Sequence, residues 1–348
     1  MKQDAGQSTQ ESLSEGGWAT LSDVAKHAGV SAMTVSRVLK SPSKVAETTR
    51  ERVRHAIESL GYVPDNVAGS LASRSSRLIA ALISTVAGSV FVSTIEGLNA
   101  ALAESGHQLL LGTTQYSAES EEALLTTVLG RRPDGLVLTS SEHTERTRAM
   151  LTSVRLPVVE IWDLPEHPID SAVGFSNREA GAAMTRLLAE LGYRHIAFLG
   201  GLAEGDWRGY LRSRGYTEVL AELGMGAPRC LPVPPAGVQG DTGAAGLSQL
   251  LERWPNTDCV FCASDALALG ALAEARRRGM AVPGALAIAG FGDFEFAGNN
   301  GVSLTTVRVP GKEIGYQTGK LILARKLGHS NGPARLDLGF ELVRRASA

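Results

Sequence analysis

The sequence predicts an α/β protein in which a short three-helix segment precedes two lobes of parallel sheet, and three observations predict it. Three helical patterns with caps and turn residues fall within residues 20–61. Beyond residue 78, apolar strand-like runs alternate with helical patterns through short Gly-bearing connections, the arrangement of parallel sheets covered on both faces. The alternating part, about 270 residues long, is also too long for one tidy sheet, so it divides into two similar lobes.

The elements follow in order. Residues 1–18, rich in Ser, Gln, Glu and Gly, read as a mobile tail. Thr20 can cap a helix with Asp23 in its first turn, and Leu21, Val24 and Ala25 have helical spacing until Gly29 supplies a left-handed turn. Ser31 caps a second helix, with Val35, Val38 and Leu39 turned inward, that stops at Pro42. Thr48 or Thr49 opens a third, whose Val53, Ile57 and Leu60 form one stripe closed by Gly61. Three short helices, the first two joined by a Gly-containing turn, form the helix-turn-helix pattern over residues 19–63.

In that motif the second helix enters the major groove, so its outer face needs short polar groups and cations. The stretch SAMTVSRVLKSPSKV has them, although an ordinary amphipathic helix with a wetted polar face has the same pattern. Charge separates the two readings. Residues 20–77 hold nine Lys and Arg against five acidic residues, a net of +4, which leaves the rest of the chain at −6.

In the remainder, LIAALIS, HQLLLGT, DGLVLT, PVVEIW, HIAFLG, CVFCAS and ALAIAGF read as strands. Composition is globular, 43% hydrophobic and 20% charged, and 34 basic residues nearly balance 36 acidic ones. No apolar run reaches 18 residues and the N-terminus is polar, so no membrane partner is expected and the expected location is the cytoplasm. Three cysteines form no disulfide framework; Cys259 and Cys262 make a C-x-x-C spacing inside an apolar run and read as core packing. No repeat of period 20–50 is present.

The stretch TLSDVAKHAGVSAMTVSRVLKSPSKVAETTRERVRHAIESLGYVPDNVAGSLAS resembles the DNA-binding headpiece and hinge of LacI/GalR transcription regulators. The resemblance continues through VGFSNREAG, GYRHIAFLGG, FCASDALALGA, AIAGFGDFE and SLTTVRVP, and so extends from residue 19 to residue 345. It implies a hinge helix and linker over residues 64–77, and a periplasmic-binding-protein-like core over 78–348 whose two lobes enclose a small-molecule cleft. It also implies a homodimer that places two headpieces on one double-stranded operator.

By resemblance, Ser31, Ala32, Met33, Thr34, Ser36 and Arg37 fall where the recognition helix meets the major groove, and Thr20 joins this DNA-facing set. Met33 can touch a thymine methyl and Arg37 can pair with guanine, while Lys40 and Lys44 hold phosphates. Leu71 matches the hinge leucine that wedges into the minor groove, and Gly69 and Ser70 make so short a helix unstable off DNA. The alternative is a plain linker whose Leu71 rests on the core.

SSEHTERTRAML, PVVEIWD, IDSAVGFSNREAG and LDLGFEL resemble the gluconate-operon repressor branch, which implies a sugar-acid effector such as gluconate or a phosphorylated relative. Gly292 stands where relatives that bind neutral sugars commonly carry Asp, and a missing carboxylate favours an anion. Arg208 and Arg212 lie one helical turn apart, and Arg212 matches the family's effector-binding arginine. Arg208 and Arg214 are equally readable as surface cations paired with acids. Phe91 falls where the family stacks an aromatic; Trp162, Phe175 and Phe291 add apolar wall. Ser264 departs from the usual Asn, and Asp265 is either a ligand contact or a helix cap.

The competing classes are a sugar-acid enzyme fused to a DNA-binding headpiece, a regulator sensing a neutral sugar, and a transport-associated binding protein. No Walker loop, H-E-x-x-H or G-x-G-x-x-G pattern is present, so no catalytic residue, cofactor or metal is expected. No leucine-heptad tail follows LDLGFELVRRASA, which argues against a coiled-coil tetramer.

Overall fold

A computed structural model describes residues 18–64, 75–86, 91–201, 205–235, 241–298, 303–329 and 332–348. The chain divides into two compact units, residues 1–74 and 75–348.

In the first unit, α1 (Leu21–Ala28) opens with a reciprocal capping box: Thr20 Oγ1 accepts from the Asp23 amide at 3.2 Å, and Asp23 Oδ2 accepts from the Thr20 amide at 2.8 Å. Gly29, at φ +63°, closes it. Ser31 caps α2 (Ala32–Lys40), and a 3₁₀ turn over Pro42–Lys44 leads to α3 (Glu47–Leu60). Helix α3 begins earlier than Thr48 or Thr49, after Ala46, with no side-chain cap. Arg50 compensates by donating to the Pro42 carbonyl at 3.2 Å, which secures the turn. Val24, Ala25, Ala28, Val35, Val53, Ala56 and Tyr62 form this unit's core. Leu39 was expected inside but is exposed, because Val35 and Val38 already fill the inward face of a two-turn helix.

The second unit carries two parallel sheets, one in each lobe, and a two-stranded antiparallel sheet. Lobe 1 comprises β1 (Leu78–Ile83), α4 (Val92–Ala103), β2 (Gln108–Thr113), α5 (Ala118–Gly130), β3 (Gly135–Leu138), α6 (Glu145–Ser153), β4 (Val158–Ile161) and β5 (Ser171–Gly174). The chain then enters lobe 2 with α7 (Asn177–Glu190), β6 (Ile196–Leu199), α8 (Trp207–Glu222), β7 (Cys230–Leu231), α9 (Thr242–Arg253), β8 (Cys259–Cys262), α10 (Asp265–Arg277), β9 (Ala287–Ala289) and β10 (Thr306–Arg308). It returns to lobe 1 for α11 (Gly311–Lys326) and β11 (Arg335–Asp337), and ends in lobe 2 at β12 (Glu341–Val343).

The lobe 1 sheet runs β11-β5-β4-β3-β1-β2, all parallel, and the lobe 2 sheet β7-β6-β8-β9, also parallel; β10 and β12 form an antiparallel pair. Both lobes therefore reverse strand order beside their first strand, opening a crevice at the carboxyl ends of β1 and β3 and of β6 and β8. All seven runs read as strands form strands, and most are buried on both faces, as parallel layers require. Three crossings join the lobes, at Phe175, at Val309–Pro310 and at Leu338–Phe340. Cys259 and Cys262 lie fully buried on β8 with thiols pushed well up by burial, which suits packing and not redox chemistry. Among the described residues no helix is long and apolar enough to cross a membrane, and no cluster suits a metal ion.

Candidate functional site

Two sets of cations dominate, one in each unit. On α2, Ser31 Oγ accepts from the Thr34 amide at 3.2 Å and lies 2.9 Å from Thr34 Oγ1, so the polar side chains also organise the first turn. Val35 points inward with no exposure. Ser31, Ala32, Met33, Arg37 and Lys40 are exposed, Thr34 and Ser36 half-buried, and Lys44 follows on the exposed 3₁₀ turn. Met33, at 72% exposed, is a large apolar side chain turned to solvent. Arg37, Lys40 and Lys44 make no ion pair among the described residues. Thr20 is committed to the capping box through a 2.6 Å bond to Asp23. Leu71 lies outside the described residues.

In the core, the crevice of lobe 1 is occupied by an arginine from lobe 2. Ser84 and Thr139 follow β1 and β3 directly and bond across the switch point, Ser84 N donating to Thr139 Oγ1 at 2.8 Å. Arg208, on the first turn of α8, donates to the Thr139 carbonyl and, at 3.2 Å, to Ser84 Oγ. One turn on, Arg212 donates to Asn177 Oδ1 at 3.1 Å, and its buried Nε has no partner among the described residues. Asn177 in turn donates to Asp163 Oδ1 at 3.2 Å, and Ser141 donates to Asp163 Oδ2 at 3.1 Å. A hydrogen-bonded chain thus runs from Ser141 in lobe 1 to Arg212 in lobe 2.

Both guanidiniums are more than nine-tenths buried, and neither has a carboxylate within ion-pair distance among the described residues. Burial pulls Arg212 down to about 10, Asp206 opposing the shift and Arg208 adding to it. Asp206 is nearby, but it caps α8 by accepting from the Gly209 amide at 3.1 Å. Aromatic faces take part of the load: Arg212 lies 4.1 Å over Phe291 and Arg208 5.3 Å over Phe91. Phe91, Trp162, Phe175 and Phe291 are all buried and form one continuous wall with centroids 5.1, 6.1 and 6.0 Å apart. Arg214 is the surface cation of the two readings, exposed and 3.9 Å from Glu218; Arg208 is not.

A cavity of about 630 Å³ opens beside Arg208, lined by Ser84, Tyr116, Thr139, Ser141, Asp206 and Tyr210 among others. Of the sequence-predicted effector residues only Arg208 lines it. Trp162 and Gly292 instead line a second cavity of about 660 Å³, with Arg308 and Tyr316. Gln115 and Tyr116, at φ +52° and +62°, hold backbone strain at the first cavity's edge, and burial raises the Tyr116 phenol. His143 pins the loop carrying Ser141 by inserting between Glu121, at 2.5 Å, and Glu160, at 3.4 Å. Burial opposes its charge, but the bonds and charges of the two carboxylates outweigh that and raise it to about 9.

The cap on α10 is Ser264, which accepts from the Leu267 amide at 3.3 Å. Asp265 is fully buried and accepts from the Phe294 amide at 2.8 Å and the Thr306 hydroxyl at 2.6 Å. Burial raises its carboxyl to about 6 against those bonds. Gly292 sits at φ +128°, and a Cβ there would lie 2.3 Å from the Phe294 ring. Glycine is thus demanded by the backbone at this position, whatever the charge of the ligand. Ser84, Tyr116, Thr139, Ser141, Asp163 and Asn177 escaped sequence reasoning. The available signal was a polar residue directly after an apolar run, as in LIS, VLT and IWD.

Comparison with known proteins agrees with this two-part layout. Residues 20–65 match the family of bacterial regulatory proteins, lacI family, and residues 185–348 match the periplasmic binding protein-like domain. The HTH-type transcriptional regulator GntR of Pseudomonas aeruginosa is 37% identical over 328 residues, covering 94% of this chain and 95% of that protein. Its namesake from Escherichia coli K12 is 35% identical, covering 92% and 96%. A crystal structure of a LacI-family transcriptional regulator from Silicibacter pomeroyi superposes with a TM-score of 0.85 at 34% identity, covering 94% of this chain and 99% of that one. A capped helix with an exposed cationic face, a core of two parallel lobes and full-length relatives of this kind place the chain in the LacI family of bacterial transcriptional regulators.

Proposed function

We propose that the chain is a ligand-responsive repressor that binds a pseudo-palindromic operator as a homodimer and senses a small sugar acid, gluconate or a close relative, between the core lobes. The observation that carries the effector class is the pair Arg208 and Arg212, two buried guanidiniums with no carboxylate partner among the described residues. An unpaired buried cation is costly, and a ligand carboxylate relieves that cost while satisfying the free Nε. GntR relatives support the same class.

In this reading the ligand enters from the cavity beside Arg208, where hydroxyls of Ser84, Thr139 and Ser141 suit a polyol. Its carboxylate engages the arginines, and the three crossings let the lobes adjust around it. Because Arg212, Asn177, Asp163 and Ser141 form one chain across the lobes, a ligand on Arg212 alters how the lobes are held together. On DNA, Arg37 reads a guanine edge, Met33 meets a thymine methyl, and Lys40 and Lys44 hold phosphates.

The test is selection of bound duplexes from random DNA by the full chain, followed by footprinting with and without D-gluconate. A two-fold symmetric site protected at constant salt, with protection changed by gluconate and unchanged by glucose, supports the reading. An asymmetric site, or one that ignores every sugar acid tried, contradicts it.

A further inference from the structure

The Asp134 carboxylate, in the turn before β3, gathers donors from three separate parts of the core. From the segment that enters the core, Ser75 Oγ donates at 2.6 Å, the Arg77 amide at 2.9 Å and the Ser76 amide at 3.2 Å. His107, just before β2, lies 3.2 Å away through Nε2. Lys326, at the end of α11, pairs with the same carboxylate and also donates to Ser75 Oγ at 2.5 Å. The Asp134 side chain is only 7% exposed. Burial works against its charge, but the bonds from Lys326 and Ser75 prevail and hold the carboxyl below its ordinary value.

Two features show what this cluster holds in place. Arg77 has φ +55°, a left-handed backbone that a non-glycine residue keeps only when its surroundings enforce it. Its amide is held by Asp134, and its carbonyl accepts from the Gln108 amide at 2.8 Å. Lys326, meanwhile, ends a helix that begins at the Val309–Pro310 crossing. With 16 residues, α11 spans about 24 Å from the interlobe crossing to the Asp134 cluster. It packs backbone-close on α4: a Cβ on Gly97 would lie 2.0 Å from the Lys312 carbonyl, and one on Gly315 2.0 Å from the Thr94 carbonyl. So close a backbone contact leaves the two helices little room to slide past one another.

We propose that Asp134 is a positioning residue for DNA recognition: it fixes residues 75–77, where the chain passes from the DNA-binding unit into the core, and ties that point to α11 and so to the interlobe crossing. The residue touches neither DNA nor effector. It sets how firmly the core holds the end of the segment that carries the headpiece. A loose end leaves each headpiece able to bind DNA by charge but costs the alignment that a two-site operator demands.

The test uses full-length Asp134→Asn and a duplex selected by the wild-type chain. The ratio of operator to random-sequence affinity, at fixed salt, is expected to fall roughly three- to tenfold, the range for contacts that act outside a binding site. Affinity for random DNA and for D-gluconate stays unchanged, and tryptic cleavage between Arg77 and Leu78 accelerates. Lys326→Met should reproduce the loss, Lys326→Arg should retain the wild-type ratio, and the double variant should be no worse than either single one. Ser75→Ala serves if Asp134→Asn does not fold. An unchanged ratio and cleavage rate in Asp134→Asn and Lys326→Met overturns the proposal, as does a lowered core melting temperature with no change in ratio. The anchor does not depend on the sugar-acid reading: if gluconate fails to bind the wild type, that reading falls while the ratio and the cleavage rate still decide the anchor.

Discussion

Arg37 and Arg212 carry the same guanidinium into opposite surroundings. Arg37 stands in solvent on a two-turn helix whose inward face is a single buried valine and its neighbours. Arg212 is buried over the face of Phe291, with one nitrogen lacking a partner among the described residues. In the proposed reading the first keeps its hydration until DNA arrives, so its contribution would be salt-dependent and reversible. The second has already lost its water in the free protein, so an anion that reaches it gains a strong bond at little further desolvation.

That contrast breaks most easily at Arg212. Arg212→Ala should weaken a bound sugar acid by about 2 to 5 kcal/mol, measured by calorimetry, if carboxylate and guanidinium are buried together. Arg212→Met should also stabilise the ligand-free core by about 1 to 4 kcal/mol in denaturant unfolding, since an apolar side chain replaces an unpaired buried cation. A destabilised methionine variant would show that Phe291 and Asn177 already satisfy the charge.

The exposed arginine should behave differently. Arg37→Ala should cost about 1 to 3 kcal/mol of discrimination between operator and random DNA and leave core stability untouched. An unchanged ratio in a competition assay would remove Arg37 as a base reader.

A smaller effect comes from the loop beside the cleft. The His143 imidazolium lies between Glu121 and Glu160, its pKa raised from 6.5 to about 9. Its stabilisation is therefore complete below pH 6.5 and disappears as pH rises through about 9, because the folded state then releases the proton it had held more tightly than the unfolded state. Denaturation of the wild type should show core stability falling by no more than about 3 kcal/mol across that window, and His143→Gln should flatten the decline. Least of all, Arg214→Ala, which removes an exposed partner of Glu218, should change stability and ligand affinity by less than about 0.5 kcal/mol.

The two regions also differ in how legible they were. The helical unit is local: Thr20 with Asp23, Ser31 with Thr34 and Gly29 at a turn all act within four residues, so caps and faces could be read from spacing. The start of α3, which follows Ala46 without a side-chain cap, and the exposure of Leu39, which packing decides, departed from expectation. The long apolar strands of the core were equally plain. The three-residue strands β9 to β12 give little periodicity, and of these only β9 lay in a run read as a strand.

The cleft was legible only in part, because its groups come together from across the fold. Arg208 and Arg212 were visible as a helical pair, but Ser84, Thr139, Asp163 and Asn177 are 14 to 124 residues from the partners they bond. Nothing in the spacing of Gly292 revealed that a left-handed backbone against Phe294 requires it. A carboxylate introduced there would strain the chain before it repelled any ligand, so the charge of the effector is better tested at the arginines.

The central claim, that buried unpaired guanidiniums select an anion, is tested most directly by titrating D-gluconate and D-glucose calorimetrically into the wild-type chain and into Arg212→Met. The account predicts that gluconate binds the wild type far more tightly than glucose, and that the difference largely vanishes in the variant because the group that prefers the carboxylate is gone. Equal affinity for the two sugars in the wild type, or a preference for gluconate that survives the loss of Arg212, would contradict it.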